Sequence, residues 1–261
     1  MLVTRVERVA AATPAADGRI EVLAFGIEAS VADRPDPVSG MVVNLAAMKE
    51  ELRREVVARL DGRMLDGAAA PAPAGAEWLA REVWRLLGGR LAGRRLVRVR
   101  LAGSRGPSVE YRGGDEMDVT RTYEFSASHR LHAPSLSDEE NRRVFGKCNN
   151  PSGHGHNYVL EVTLRGTGGR GGAPVFPAEL DRVVHAEVVE RWDHRHLNED
   201  LPEFRGVNPT AEEIARVAWR RLAAPLAAAA GPLRRLVRIK LRETERNHVE
   251  YFGEDDAEDD A

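Results

Sequence analysis

Residue types that do chemistry crowd into one short stretch, FGKCNNPSGHGHNYVLEVTL, Phe145 to Leu164. Cys148 is the only cysteine in the chain, and His154 and His156 follow it, separated by one glycine. Residues i and i+2 of a strand point to the same face. A strand that begins at His154 therefore presents both imidazoles to one point, with Gly155 leaving the other side open for close approach. His129 in YEFSASHRLHAP supplies a third imidazole: Phe125, Ala127, His129 and Leu131 alternate with more polar neighbours. Three neutral imidazoles leave the fourth tetrahedral position open, the layout of a catalytic zinc (Zn2+) site. A lone His-x-His on a solvated strand ordinarily means nothing. The thiol, the glycine-rich entry NPSGHGH and the third histidine raise this one above that background. His132, His185 and His248 stand alone and read as surface or turn residues.

A buried structural cysteine sits inside an apolar run, whereas Cys148 sits among Lys147, Asn149 and Asn150. A nearby lysine and a zinc ion both favour the thiolate. Its rival role is as a zinc ligand, but three histidines already fill the protein share of a catalytic zinc. WDHRHLNED holds a second cluster: Asp193 beside His194 forms a carboxylate–imidazole relay if the loop folds both inward. The plainer alternative is a helix C-terminus with basic side chains at its negative end.

The elements that must position these groups come in duplicate. RRLVRVRLAGSRGPSVEY (Arg94 to Tyr111) aligns without a gap with RRLVRIKLRETERNHVEY, 140 positions later. EWLAREVWRLL (Glu77 to Leu87) matches EEIARVAWRRL at an offset of 135, and ARLDGRML (Ala58 to Leu65) matches ERWDHRHL at 132. The sequence reads as two modules, 1–113 and 118–253, joined by the polar GGDEMD, with an acidic disordered tail at 254–261. Each copy gives two strands, two helices and two strands. The first helix of copy one, NLAAMKEELRREVVARL, carries Leu45, Met48, Leu52, Val56 and Leu60 at helical spacing. The second helix of copy two opens at Thr210 with Glu213 three residues on, a capping-box pattern. The fold class is α+β: tandem ββααββ modules, each an antiparallel four-stranded sheet with helices on one face. The open edges of such sheets call for pairing between chains.

All eight histidines lie at or beyond residue 129, so copy one has none. In the alignment Asp193 faces Asp61, His194 faces Gly62, and Glu243 faces Gly103. Copy one thus keeps the apolar framework and lacks most of the groups chemistry would need.

The composition is unremarkable for a folded chain: 261 residues, 43% hydrophobic, net charge −3. That balance gives no global attraction to nucleic acid. A single cysteine excludes an internal disulfide and points to a reducing, cytoplasmic setting. No apolar run approaches a membrane span, and the N-terminus lacks the apolar core of a signal peptide.

Copy two, through FSASHRLHAPSLSDEENRRVFGKCNNPSGHGHNYVLEVT, DHRHLN, NPTAEEIA and RETERNHVEY, closely resembles the 6-pyruvoyltetrahydropterin synthase family of the tunnelling fold. The resemblance implies 7,8-dihydroneopterin triphosphate as substrate, with loss of triphosphate. It implies His129, His154 and His156 as zinc ligands, Cys148 as general base, and Asp193 with His194 as its relay. Glu243 would anchor the pterin through paired hydrogen bonds. The Cys-x5-His-Gly-His spacing resembles the pyruvoyl type, and a Cys-x3 spacing the related 6-carboxytetrahydropterin synthases of queuosine biosynthesis. A third reading is a pterin-binding protein without turnover. Two features depart from the family: Phe176 stands where it usually has Asp or Asn, matching Asn44 of copy one, and two modules share one chain. Single modules of the superfamily join edge to edge into stacked barrels, which implies a homo-oligomer here, three chains giving six modules.

Overall fold

The computed structural model describes residues 1–14, 20–64, 75–103, 107–167 and 175–253. The 254–261 tail lies outside these described residues. Two compact units form, Met1–Thr120 with Arg165–Pro177, and Arg121–Leu164 with the residues from Ala178 on.

In the first unit, β1 (Leu2–Pro14) and β2 (Ile20–Ala32) form a long antiparallel hairpin. A short β3 (Arg90–Leu91) leads into β4 (Arg94–Gly103), which pairs antiparallel with β2 and with β5 (Ser108–Tyr111). The start of β6 (Glu116–His129), from Met117 to Thr120, pairs antiparallel with β5. The helix Gly75–Leu86 packs on β4 and β5 and buries Leu79, Ala80 and Val83.

In the second unit, β7 (His154–Thr167) lies between β6 and β9 (Arg234–Arg242), and β10 (His248–Tyr251) pairs antiparallel with β9. The two-residue β8 (Arg195–His196) runs parallel to β6. The helix Ala211–Ala230 packs on β9 and β10. Both copies therefore follow the ββααββ order, with the α+β character expected from the sequence.

The repetition reaches fine detail. Leu45–Leu52 does not continue as one regular helix: it widens into a π-helical stretch, Arg53–Val57, before closing at Ala58–Leu60. Copy two does the same, with Ala178–Val184, π-helical His185–Val189 and Glu190–Trp192. Asp61 then turns the chain, its carboxylate accepting the Ala10 N–H at 2.9 Å; Asp193 accepts the Ser126 N–H at 2.7 Å. Trp84 meets Tyr111 edge-on at 5.4 Å, as Trp219 meets Tyr251 at 5.6 Å.

Several sequence expectations need correction. Leu45 is 57% exposed, because it lies in the first turn, ahead of the stripe that buries Met48, Leu52, Val56 and Leu60. Thr210 accepts the Glu213 N–H at 3.4 Å, which is one half of a capping box. The complete box belongs to Ser137 and Glu140, at the start of the helix Asp138–Phe145. Asn44 caps its helix by accepting from Ala46 and Ala47. Its counterpart Phe176 is buried instead.

Candidate metal centre

His129 closes β6 with 1% exposure, and His154 and His156 open the neighbouring strand β7. The Nδ1–H of His129 donates to the Pro209 carbonyl at 2.7 Å. That bond selects the tautomer whose Nε2 keeps its lone pair. The Nε2 atoms of His129 and His154 lie 3.2 Å apart. With His156, one ligand atom from each residue lies within 4.8 Å of the others. Nε2 of His156 is buried and has no hydrogen-bond partner among the described residues. Buried polar nitrogens ordinarily have a partner; converging imidazoles of this kind suit a metal ion.

The electrostatics agree. Burial pushes His129 down to about 4, helped by the neighbouring imidazoles and opposed by the Pro209 carbonyl. His156 is also lowered, by burial first, with Glu243 opposing. Both rings are therefore neutral near pH 7, the state a metal requires. The Glu243 carboxylate, just beyond the end of β9, lies 3.7 Å from Nε2 of His129 and of His156. Tyr158 reaches the same point, its hydroxyl 3.5 Å from His129 Nε2. Burial, then Glu243 and Cys148, raise its phenol well above the usual tyrosine range. Below the site, Phe125 stacks on Tyr158 at 5.1 Å and meets Trp192 edge-on at 5.6 Å. Trp192 is fully buried and immediately precedes Asp193, so core packing fixes where that acid begins.

The glycine the site depends on is Gly153. It has φ +69°, and a Cβ there would stand 2.8 Å from Nε2 of His196 and 3.0 Å from the His129 carbonyl. At Gly155 a Cβ would make only ordinary contact, 3.5 Å from the Ala127 carbonyl, so close approach is not its reason.

Cys148 is half-buried in a 3-10 turn, Gly146–Asn149, and its carbonyl accepts the Leu131 N–H at 2.9 Å. Four asparagines grip the backbone that follows His129. Asn198 exchanges two hydrogen bonds with Arg130, at 2.8 and 3.0 Å. Asn149 donates to the Leu131 carbonyl at 2.7 Å, Asn208 accepts from His132 at 2.9 Å, and Asn141 accepts from Ala133 at 2.8 Å. His132 is accordingly no isolated residue, since Asn149 Nδ2 also lies 3.1 Å from its Nδ1. Sequence reasoning passed over these asparagines and His196. The short motifs NN, HLN and VNP hold Asn149, His196 with Asn198, and Asn208, whereas Asn141 lies in EENRR with no such signal.

Asp193 and His194 meet, with Oδ2 and Nδ1 2.8 Å apart. The Ser126 N–H first, and His194 after it, hold the Asp193 carboxyl below the usual range. The loop does not turn both inward, however: the His194 side chain is 81% exposed. No hydrogen bond joins either residue to Cys148 among the described residues. His194 also has φ +58°, a conformation that Gly62, its counterpart, adopts at +67°.

Comparison with known proteins gives the same family twice within the chain. The family model of 6-pyruvoyl tetrahydropterin synthase matches residues 24–114 and 118–254. The 6-pyruvoyl tetrahydrobiopterin synthase of Poecilia reticulata is 42% identical over 137 residues, which is 52% of this chain and 90% of that one. A putative 6-carboxy-5,6,7,8-tetrahydropterin synthase of Archaeoglobus fulgidus is 30% identical over 109 residues, 42% of this chain and 78% of that one. The solved structure of Caenorhabditis elegans 6-pyruvoyl tetrahydropterin synthase is 36% identical, covers 53% of this chain and 96% of its own, and has a TM-score of 0.48.

Proposed function

This chain belongs to the 6-pyruvoyl tetrahydropterin synthase family, and on that premise we propose that it is a zinc-dependent carbon–oxygen lyase. Its substrate in this reading is 7,8-dihydroneopterin triphosphate, and its products are 6-pyruvoyltetrahydropterin and inorganic triphosphate. The observation that carries the reading is the convergence of His129, His154 and His156 beside Glu243 and next to the turn that bears Cys148. The second copy, 118–253, is the catalytic module and the first, 1–113, a non-catalytic one.

The three imidazoles would hold the zinc, which supplies Lewis acidity toward the side-chain hydroxyls of the substrate. Cys148 removes a proton from a side-chain carbon, the electron pair left behind expels triphosphate, and tautomerisation moves the redox change into the ring. Asp193 holds His194 as the proton relay. Glu243 accepts hydrogen bonds from the donor-rich edge of the pterin. Because His194 is exposed and has no hydrogen bond to Cys148 among the described residues, we place the relay at a site completed by association of chains. Three chains with six modules fit that arrangement, a count that light scattering checks. The reading includes a cytoplasmic setting, which the single cysteine supports. Among the described residues no helix is long and apolar enough to cross a membrane.

The test is incubation with 7,8-dihydroneopterin triphosphate and mass analysis of the pterin. Release of acetaldehyde with a 6-carboxy product would favour the second reading, to which the Archaeoglobus fulgidus relative lends weight. The five-residue spacer between Cys148 and His154 favours the first.

A further inference from the structure

Ser126 and Ser128 alternate along β6 with the buried Ala127 and His129, so they lie on the opposite face of the strand. There, with Asn157, His156, His194 and Arg195, they line an open cavity of about 420 Å³. None of the residues lining it is acidic. The Ser126 hydroxyl donates to Asn157 Oδ1 at 2.8 Å, a bond that leaves the Asn157 amide donors unused. Among the described residues, the Ser128 hydroxyl and the Arg195 guanidinium have no hydrogen-bond or ion-pair partner. Hydroxyl, amide and guanidinium donors without acceptors, gathered in one opening, suit a ligand made of acceptors. Guanidinium groups and side-chain hydroxyls and amides are common partners of phosphate oxygens.

Copy one supplies an internal control. Its Ala12 bridges Met64 in parallel, as Ser128 pairs with His196. The Asp61–Ala10 bond likewise mirrors Asp193–Ser126. By this register Ala10 and Ala12 stand where copy two has Ser126 and Ser128, and Arg63 stands where it has Arg195. The non-catalytic copy has kept the backbone and the arginine and has neither hydroxyl.

We propose that this cavity is an oligophosphate subsite, in which Ser128, Asn157 and Arg195 bind the triphosphate of the substrate and hold it as it leaves. The assignment rests on the pterin triphosphate reading above. The opening lies on the face of β6 opposite the His129 imidazole and meets the site at its border, where His156 of the metal triad and the His194 relay line it.

The test uses the full zinc-loaded chain and inorganic triphosphate as probe, with affinity measured by calorimetry. Arg195→Ala should weaken binding by about tenfold or more, the worth of a charge-assisted hydrogen bond, and Ser128→Ala by severalfold. Arg195→Lys should restore part of the loss. Zinc content and binding of 7,8-dihydroneopterin, which lacks the phosphates, should not move. Arg182→Ala, at an exposed arginine outside the cavity, serves as the charge control. Binding indifferent to Arg195→Ala and Ser128→Ala, or weakened equally by Arg182→Ala, overturns the subsite. Normal turnover of 7,8-dihydroneopterin triphosphate alongside that result overturns the subsite alone. A wild-type chain that binds inorganic triphosphate through Arg195 and Ser128, yet does not turn the substrate over, overturns the functional reading and keeps the subsite.

Discussion

Asp61 and Asp193 each follow a π-helical stretch, and each accepts a backbone N–H from the first strand of its own copy. The next residue is Gly62 in copy one and His194 in copy two, both in the left-handed region. The comparison separates two duties that a sequence motif merges. The aspartate closes the turn in both copies by the same backbone hydrogen bond. The histidine is not needed for the turn; it occupies a backbone conformation that costs a non-glycine residue about 1–2 kcal/mol. Ala92 of copy one, at φ +48°, is the other non-glycine residue in that region among the described residues, so the exchange of turn residues below is what tests a role for His194. The connection between the first two strands differs as well: residues 15–19 in copy one, but 130–153 in copy two, with a capped helix, the turn bearing Cys148 and the asparagine-held backbone.

The comparison breaks most readily on metal content. Purified protein should hold about one zinc per chain, since one copy offers the open three-histidine site, and His154→Ala should abolish both zinc and turnover. Two tightly held zincs in elemental analysis would mean that copy one is not degenerate. Next in size, Cys148→Ala should retain zinc and lose about 10²–10⁴-fold in turnover, the usual worth of a general base. Loss of zinc in that variant would make Cys148 a ligand.

The convergence of His129, His154 and His156 was legible from sequence because all three sit in regular strands. The alternation Phe125, Ala127, His129 and the His-x-His pair at the head of a strand define a face without any tertiary information. The asparagine grip on residues 130–133 was not legible, because its members come from positions 141, 149, 198 and 208 and act on backbone atoms. Nor was the exposure of His194, since whether a turn faces in or out depends on what packs beneath it, here the buried Trp192. The ββααββ order followed from periodicity. The π-helical stretches did not, because one extra residue per turn leaves the apolar spacing nearly intact.

Two smaller experiments sharpen the comparison. Exchanging the turn residues should give opposite outcomes. Gly62→His should lower stability by about 1 kcal/mol through backbone strain and leave turnover alone. His194→Gly should lose turnover without lowering the melting temperature. A destabilised His194→Gly would show that the imidazole holds the fold. The smallest effect is expected at Asp61: Asp61→Ala should cost about 1 kcal/mol, the worth of one hydrogen bond, with full activity. Asp193→Ala should cost a similar amount and impair turnover as well. Thermal melts and steady-state rates on the four variants decide it.

The paired π-helical stretches also bear on how this chain can change its length. Between the copies the alignment offset drifts from 132 to 135 to 140, so segments elsewhere have gained or lost residues. At Arg53–Val57 and His185–Val189 both copies carry the same local insertion, in step with the aspartate that follows. A widened turn absorbs one extra residue while the regular turns on either side keep their facing. A single deletion inside 53–57 or 185–189 would return the segment to ordinary helical pitch and leave Asp61 or Asp193 aimed at the strand it ties down, whereas the same deletion in the regular turns would rotate everything beyond it by about 100°. These stretches are therefore where each helix can lose a residue without losing its tie to the sheet. A library of one-residue deletions scanned across 45–61 and 178–193 should find 53–57 and 185–189 more tolerant than the regular turns beside them.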